Sequence, residues 1–218
     1  LFSNASVYYS RYKNGNSNLD NYYQNNNPSD VYRSYYYEFN SGVQSISAQM
    51  DWDWRINPAN NVRFGLNYQH YNFNPGETRL ETLYDGQFFT EQSQIPSKKA
   101  DEAYIYVEDD IKFKNFNANI GCNFSTYFVD DKFYPALQPR IRTKLALSDK
   151  FALHASYTEM TQNIHMLTKT TMDLSTDLWL PSTGKIEPMY SKQGVLGCDY
   201  RFPKNISASL ETYYKIME

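Results

Sequence analysis

The stretch SISAQMDWDWRI, residues Ser45–Ile56, alternates strictly between two kinds of side chain. Its even-numbered positions are apolar, and its odd-numbered positions are Ser, Gln, Asp or Arg. Successive side chains of a β-strand point to opposite faces, so the pattern predicts a strand with one apolar and one strongly polar face. The apolar face contacts either the core of a soluble β-sandwich or the lipid of a membrane.

The same alternation recurs along most of the chain, and no stretch shows convincing helical periodicity. It predicts about nine strands, near residues 3–12, 34–56, 62–73, 102–113, 116–128, 134–147, 151–162, 190–202 and 206–217. Asp109 and Glu159 fall on the apolar face in this register and count against it. A β-bulge, or a position near the water interface, would explain each of them.

The predicted connections alternate in length along the chain. Tight turns are expected at 57–61, 114–115, 148–150 and 203–205, where Asn, Pro, Asp and Ser supply turn chemistry. Longer connections are expected at 13–33, 74–101 and 163–189, and the link at 129–133 is the one short member of that set. Every tight turn therefore falls on one side of the sheet and every long connection on the other.

Strand length and aromatic placement favour a membrane barrel over a sandwich. The alternating segments run about 10–13 residues, whereas strands of globular proteins have about 5–6 residues and membrane-crossing strands about 9–11. Trp52 and Trp54 lie beside a tight turn, where we expect the periplasmic aromatic girdle of a barrel. We predict an all-β, antiparallel, up-and-down transmembrane β-barrel, of which only about nine strands are present.

In such a barrel the apolar side chains of Ser45–Ile56 face lipid and the polar ones face the lumen. The lumen-facing side chains that we predict are Asp51, Asp53, Arg140, Arg142 and Lys144.

Composition argues against several other classes of function. The net charge is −3 and the pI is about 5.7, so the chain has no basic footprint for nucleic acid. Cys122 and Cys198 lack a partner motif, and we interpret them as packed hydrophobic residues. The three histidines lack zinc spacing, and neither a GxSxG elbow nor a phosphate loop occurs. We expect no enzymatic activity, no metal and no cofactor.

Neither a membrane-spanning helix nor a targeting segment is expected from the sequence. No run of about 18 apolar residues exists that could form a transmembrane helix. The first residues, LFSNASVYYS, lack the basic and apolar regions of a signal peptide. We interpret the chain as a protein whose signal was removed or as a piece of a longer one.

Residues 133–190 resemble the C-terminal half of the barrel of TonB-dependent outer-membrane receptors, of the type common in Bacteroidetes. The likeness rests on LQPR at the head of a strand, on SYTEMTQNIHML, and on STDLWLPSTGKIEP. The pieces INPANNVRFGLNYQHYNF and YIYVEDDIKF fit the same pattern more loosely. The resemblance implies a 22-stranded barrel in the bacterial outer membrane, filled by a plug, which imports a scarce nutrient with energy from the TonB complex.

This chain departs from that pattern because it has about nine strands, no plug and no TonB box. We therefore interpret 1–218 as a partial β-barrel domain. Its expected partners are outer-membrane lipid, a small nutrient ligand (iron chelate, haem, peptide or glycan), and the TonB complex through the absent plug segment. Two alternatives stay open: a plug-less barrel with an adhesive or structural role, and a secreted soluble β-sandwich binding module.

The long connection TKTTMDLSTDLWLPSTGKIEP supplies the candidate substrate contacts His165, just before it, and Asp177, Trp179 and Glu187 within it. Trp179 offers a flat stacking face, and the acids offer hydrogen bonds. In the alternative that we favour, Leu178, Trp179 and Leu180 anchor this loop by folding back onto the barrel rim. The Asn- and Tyr-rich stretch NGNSNLDNYYQNNNPSD is a second candidate for saccharide or peptide binding, although such stretches are more often solvated loops.

Overall fold

A computed structural model describes residues 1–23, 31–171 and 174–218, and almost all of them lie in β-strands. These are β1 (Phe2–Tyr23), β2 (Val31–Asn57), β3 (Asn60–Tyr84), β4 (Gln87–Ile95), β5 (Lys98–Phe113), β6 (Phe116–Val129), β7 (Lys132–Ala146), β8 (Phe151–Gln162), β9 (Ile164–Thr171), β10 (Leu174–Pro181), β11 (Met189–Arg201) and β12 (Ser207–Met217). A short 3-10 turn, Pro203–Asn205, joins the last two strands.

Nine of these strands form one continuous antiparallel sheet in the order β1-β2-β3-β5-β6-β7-β8-β11-β12. This order confirms the predicted up-and-down connectivity and the predicted number of wall strands. β4 pairs only with the far end of β3, and β9 and β10 form a separate hairpin. The one further sheet among the described residues is the two-stranded β9–β10 hairpin, which is too small to be the second layer of a β-sandwich, so the soluble β-sandwich alternative is wrong. β1 and β12 lie at opposite ends of the order, and the sheet is therefore part of a barrel wall.

The tight turns lie where the sequence predicts them, and local hydrogen bonds explain them. Asn57 Oδ1 accepts hydrogen bonds from the backbone N–H groups of Ala59, at 2.8 Å, and Asn60, at 2.9 Å. Ser148 Oγ likewise accepts a hydrogen bond from the backbone N–H of Phe151, at 3.1 Å. Short side chains with an oxygen can close a turn on their own backbone, which makes these connections readable from sequence.

The predicted long connections differ from what the structure shows, because most of their residues continue the sheet. β1 and β2 extend to Tyr23 and Val31, and β3 turns into β4 through Asp85 and Gly86, whose φ angles of 47° and 73° suit a type I′ hairpin. Residues 163–189 contribute the β9–β10 hairpin. Residues 24–30 of the Asn- and Tyr-rich stretch, and residues 172–173, lie outside the described part of the chain.

The apolar face of the sheet is exposed along its length. Leu196, Ile105 and Trp54 keep 63%, 59% and 49% of their surface accessible. Trp52 stacks on Phe64 of the neighbouring strand, with ring centroids 5.3 Å apart. Ladders of apolar residues this exposed suit a lipid environment and would be an aggregation hazard in water. In the described residues, no helix is long and apolar enough to cross a membrane.

The two acidic residues on the apolar face have different environments. The β3–β5 and β5–β6 registers run through Asp109 without interruption, so a bulge does not explain it, and no contact in the described structure does. Glu159 accepts hydrogen bonds from the hydroxyls of Tyr157 and Tyr190 near the long-connection end of β8. That position agrees with the interface explanation. Cys122 and Cys198 are free thiols on the same face.

Candidate functional site: the polar face and the hairpin across it

The polar face of the sheet carries a chain of contacts that join strands lying two apart. Tyr106 on β5 reaches over β3 and donates a hydrogen bond from its hydroxyl to Asp51 Oδ1 on β2, at 2.7 Å. Gly65 lies beneath this contact, and a Cβ there would come within 2.6 Å of the Tyr106 ring and 2.7 Å of the Asp51 carboxylate. Glycine is needed here because any side chain would separate the two partners. Asp53 accepts a weaker bond from Asn61 Nδ2, at 3.3 Å.

A second bridge of this kind is ionic. Glu108 on β5 is 8% exposed and lies between Arg140 on β7 and Arg63 on β3, whose Nη2 is 2.8 Å from Glu108 Oε1. Gly121 of the intervening β6 lets Arg140 pass, since a Cβ at that position would lie 2.8 Å from Glu108 Cβ and 3.1 Å from Arg140 Nε. A buried carboxylate is stable only when it is paired in this way.

The chain of contacts continues toward β12. Lys144 Nζ on β7 is 2.8 Å from Asp199 Oδ2 on β11. His154 on β8 reaches over Gly197 to Glu211 on β12, with Nε2 and Oε1 2.8 Å apart. We call the whole set the polar belt; it comprises Asp51, Arg63, Tyr106, Glu108, Asp110, Asn119, Arg140, Lys144, His154, Asp199 and Glu211. Of the five residues predicted to face the lumen, Asp51, Arg140 and Lys144 belong to it, and Asp53 and Arg142 lie on the same face.

The β9–β10 hairpin folds back across this polar face instead of continuing the wall. In sequence the hairpin lies between β8 and β11, but β10 contacts β1, β2 and β3, which lie toward the other end of the strand order. The hairpin covers a cluster of buried wall residues: Phe73, Ala100, Tyr127 and Val129. Trp179 packs against this cluster, and its ring meets Tyr12 edge-on with centroids 6.1 Å apart. The hairpin therefore creates the only sizeable apolar core among the described residues, at the long-connection end of the sheet.

Hydrogen bonds fix both ends of the hairpin to the wall. Asn163 Nδ2 donates to Glu102 Oε1 at 2.9 Å, and Tyr134 donates from its hydroxyl to the carbonyl oxygen of Thr183 at 2.9 Å. The backbone N–H of Ser182 donates to the Asn163 carbonyl at 2.7 Å, which closes the base. Burial raises the pKa of Glu102, which lies beyond the apolar band Ala103–Phe113 of its strand.

The structure separates the four predicted substrate contacts. His165 Nε2 lies 3.2 Å from Ser182 Oγ at the base of the hairpin, and Trp179 is half-buried against the wall. Glu187 is exposed and lines a different region. Asp177 belongs to β10, but its side chain lies outside the described residues. The packing of Trp179 agrees with the interpretation in which this segment anchors the loop.

Glu187 lines a cavity where the wall splits between β7 and β8. The β7–β8 ladder ends at the pair Arg140–Thr158, although β7 continues to Lys132. Pro135 and Pro139 have no N–H, and since their pairing with β6 is continuous, the missing donors face β8. The cavity is about 580 Å³ and is lined by polar and apolar groups that include Glu159, Thr161, Asn163 and Tyr190.

Sequence reasoning missed the bridges over glycine and the docking of the hairpin. The bridges could have been predicted from Gly65, Gly121 and Gly197, because each glycine occupies a position on the polar face of its strand where a polar side chain is expected. The described residues contain no group of three or more His, Cys, Asp or Glu side chains that could hold a metal ion.

Comparison with solved structures supports the barrel wall. The sheet superposes on FpvAI in its complex with pyocin S2 (TM-score 0.56, 12% identity, 96% of this chain and 30% of that one). It also superposes on P. aeruginosa FpvA bound to heterologous pyoverdines (0.56, 12%, 97% and 30%) and on the RagAB peptide transporter (0.57, 11%, 99% and 28%). At this identity the likeness shows the fold alone, and the chain spans less than a third of the length of these proteins.

A comparison with curated protein sequences found no match. The model of the family described as TonB dependent receptor-like, beta-barrel, in contrast, matches residues 1–216. Members of this family are bacterial outer-membrane proteins. Together with the exposed apolar face and the open antiparallel sheet, this match shows that the chain belongs to the TonB-dependent receptor β-barrel family.

Proposed function

We propose that residues 1–218 form part of the wall of a TonB-dependent transporter that imports a nutrient across the outer membrane. The observation that carries this proposal is the asymmetry of the sheet: one face is apolar and exposed, and the other bears the polar belt and the hairpin docked across it. Such a wall has lipid on one side and an aqueous, partly filled lumen on the other. Asp51, Asp53, Arg140, Arg142 and Lys144 then line that lumen.

The ligand in this proposal is a small nutrient: an iron chelate, haem, a peptide or a glycan. Pyoverdines and peptides are named for two of the structurally similar proteins, which supports this range. Glu187 lines the cavity at the split between β7 and β8, so among the four candidate contacts it is the most available to a ligand. His165 and Trp179 act mainly through the hairpin position, and Asp177 stays a candidate contact. No catalytic role is proposed for any residue.

Energy for import comes, in this proposal, from the TonB complex acting through a plug segment outside residues 1–218. The test is uptake by cells that lack the chromosomal gene and carry either the full reading frame or none. We expect uptake of one ligand class to require both the protein and an intact TonB complex. Uptake that persists without TonB, or a phenotype limited to adhesion, would favour the plug-less structural barrel instead.

A further inference from the structure

The outward face of the sheet changes character abruptly near the long-connection end. Cross-strand rows of the wall are apolar up to this point, for example Met50–Leu66–Ile105 and then Ala48–Tyr68–Ala103 at the edge of the apolar band. The next row toward the long connections is Tyr9–Ile46–His70–Asp101. Tyrosine at Tyr9 and Tyr68 is typical of the boundary between acyl chains and headgroups.

One row further on, the same face becomes basic and rich in amides. Arg11 pairs with Gln44, Gln44 with Asn72, and Asn72 with Lys99, so these four side chains form one continuous row across β1, β2, β3 and β5. Lys13 lies above Arg11 on the same face of β1 and, through Gly42, opposite Asn74. We call this set the basic patch: Arg11, Lys13, Gln44, Asn72, Asn74 and Lys99.

The cations of the basic patch are available to a ligand. Arg11, Lys13 and Lys99 are all exposed, and none of them forms an ion pair with another residue that the structure describes. Glu77 is the single acid lining the shallow polar cavity of about 230 Å³ between Arg11, Lys13 and Asn74. Asp101, in the row below, is already engaged by the Tyr68 hydroxyl at 2.5 Å and by His70 Nδ1 at 2.8 Å.

We propose that the basic patch binds the phosphorylated sugar headgroup of a glycolipid in the outer leaflet. Guanidinium and ammonium groups pair with phosphate, and Arg11 has the geometry for two parallel hydrogen bonds to one phosphate. The amides of Gln44, Asn72 and Asn74 match sugar hydroxyls, and Asn74 Oδ1 is buried without a hydrogen-bond partner in the described structure. The apolar rows directly below the patch receive the acyl chains of the same lipid molecule.

Charge complementarity and continuity with the lipid-facing rows select this occupant over a soluble one. A free phosphate ion would use the three cations but would leave the adjoining Tyr9, Ile46 and Tyr68 without a role. The amides would also have no partner. A lipid with a phosphorylated sugar head uses all three features of the surface at once.

The experiment measures binding of purified lipid A to the complete detergent-solubilised protein by native mass spectrometry. The test variant combines Arg11→Ala, Lys13→Ala and Lys99→Ala. The matched control combines Lys114→Ala, Lys150→Ala and Lys204→Ala, which removes three exposed cations from the tight turns at the opposite side of the membrane. Since a basic residue at a membrane surface contributes about 1 kcal/mol, we expect the test variant to bind on the order of 100-fold more weakly and the control unchanged.

Two further arms identify the source of the phosphate. We expect dephosphorylated lipid A to bind the wild type as weakly as phosphorylated lipid A binds the test variant, and inorganic phosphate not to compete. Equal binding by the test variant and the wild type would overturn the proposal. So would equal binding of the dephosphorylated lipid, or full competition by inorganic phosphate.

Two measurements keep the outcome independent of folding defects. The variant Arg11→Lys keeps the charge but loses the paired hydrogen bonds of the guanidinium group, so its affinity should lie between those of the wild type and Arg11→Ala. Raising the salt concentration from about 0.05 M to about 0.5 M should weaken binding to the wild type, because exposed charges are screened. An affinity for lipid A that does not respond to salt would contradict the proposal even if the triple variant failed to fold. None of these results depends on whether the protein transports a nutrient.

Discussion

Gly121 shows how a single missing side chain allows an ion pair to form across a strand. Glu108 and Arg140 belong to strands that are not neighbours, and they meet because β6 presents only a hydrogen atom at the crossing point. Gly65 and Gly197 serve the contacts Tyr106–Asp51 and His154–Glu211 in the same way. These contacts tie alternate strands together on the part of the polar face that lies away from the apolar core beneath the β9–β10 hairpin.

The substitution Gly121→Ala should weaken the barrel wall. Its methyl group would come within 2.8 Å of Glu108 Cβ, so the two charged side chains must move apart, at a cost of about 1–3 kcal/mol. The control is Gly194→Ala, because a Cβ at position 194 meets nothing within 4 Å. Urea unfolding of the reconstituted protein measures both. Equal midpoints for the two variants would show that the bridge over Gly121 does not contribute.

Trp179 is the residue on which hairpin docking depends most. Replacing Trp179 with Ala removes its contacts with the buried cluster and with Tyr12. A fully buried Trp→Ala change costs about 3–5 kcal/mol, and we expect about half of that for this half-buried ring. Amide hydrogen exchange within β9 and β10 should accelerate by at least about tenfold, while exchange in β5 and β6 stays unchanged. Trp54→Ala, at an exposed position, is the control, and no change in β9 and β10 for Trp179→Ala would contradict the packing role.

At the scale of elements, the β9–β10 hairpin covers part of the polar face and buries the apolar cluster beneath it. Its base rests on Asn163–Glu102 and Tyr134–Thr183, and its body rests on the apolar cluster. The burial that raises the pKa of Glu102 means that the folded wall holds this proton more tightly than the unfolded chain does. The contribution of Glu102 to stability is therefore greatest at low pH. It falls as the pH rises from the ordinary pKa of a Glu through the raised pKa of the folded state.

The substitution Glu102→Gln should remove this pH dependence. The amide oxygen still accepts the hydrogen bond from Asn163, and no charge is buried at neutral pH. We expect the urea midpoint of the variant to equal or exceed that of the wild type at pH 7.5 and to change less between pH 5 and 7.5, which are working values on either side of the expected titration. Glu91→Gln, on the exposed strand β4, is the control. A larger loss of stability for Glu102→Gln at pH 7.5 than at pH 5 would reverse the expected sign.

Comparison of the strands shows which of them the alternation in the sequence could predict. The wall strands were predictable because each must present apolar side chains at every second position, as in Phe116–Val129. The extensions above the wall were not, because both of their faces are solvated. The extensions of β1 and β2 read KNGNSNLDNYY and VYRSYYYEFN, in which Tyr occurs in consecutive positions and Asn, Ser and Asp follow no period of two, so no apolar alternation remains. The docking of the hairpin could not be predicted either, since it depends on Phe73, Ala100 and Tyr127, which lie on three neighbouring strands that are far from the hairpin in sequence.

At the scale of the whole molecule, the different chemistry of the two sheet faces indicates that one face contacts lipid and the other faces the lumen. The apolar face is exposed along every wall strand, and the polar face carries charged contacts that span from β2 to β12. At one end of the wall every described connection is a tight turn, whereas the hairpin and the long extensions lie at the other end, together with the two-residue turns Asp85–Gly86 and Asp130–Asp131. The basic patch marks the boundary with the outer-leaflet headgroups. Once the face that touches lipid is known, the opposite face is assigned to the lumen. The orientation of the wall in the membrane then depends on the same assignment.

The most direct test of that claim is a nitroxide scan of residues 46–56 in the complete protein reconstituted in bilayers, with Cys122 and Cys198 replaced by Ala. Collision rates with oxygen, which concentrates in lipid, and with a water-soluble nickel complex are measured at each position. We predict that the even positions, from Ile46 through Met50 to Trp54, show high oxygen and low nickel accessibility, while odd positions such as Gln49 show the reverse or low values for both. Low oxygen accessibility at the even positions, or no alternation along the stretch, would contradict the account.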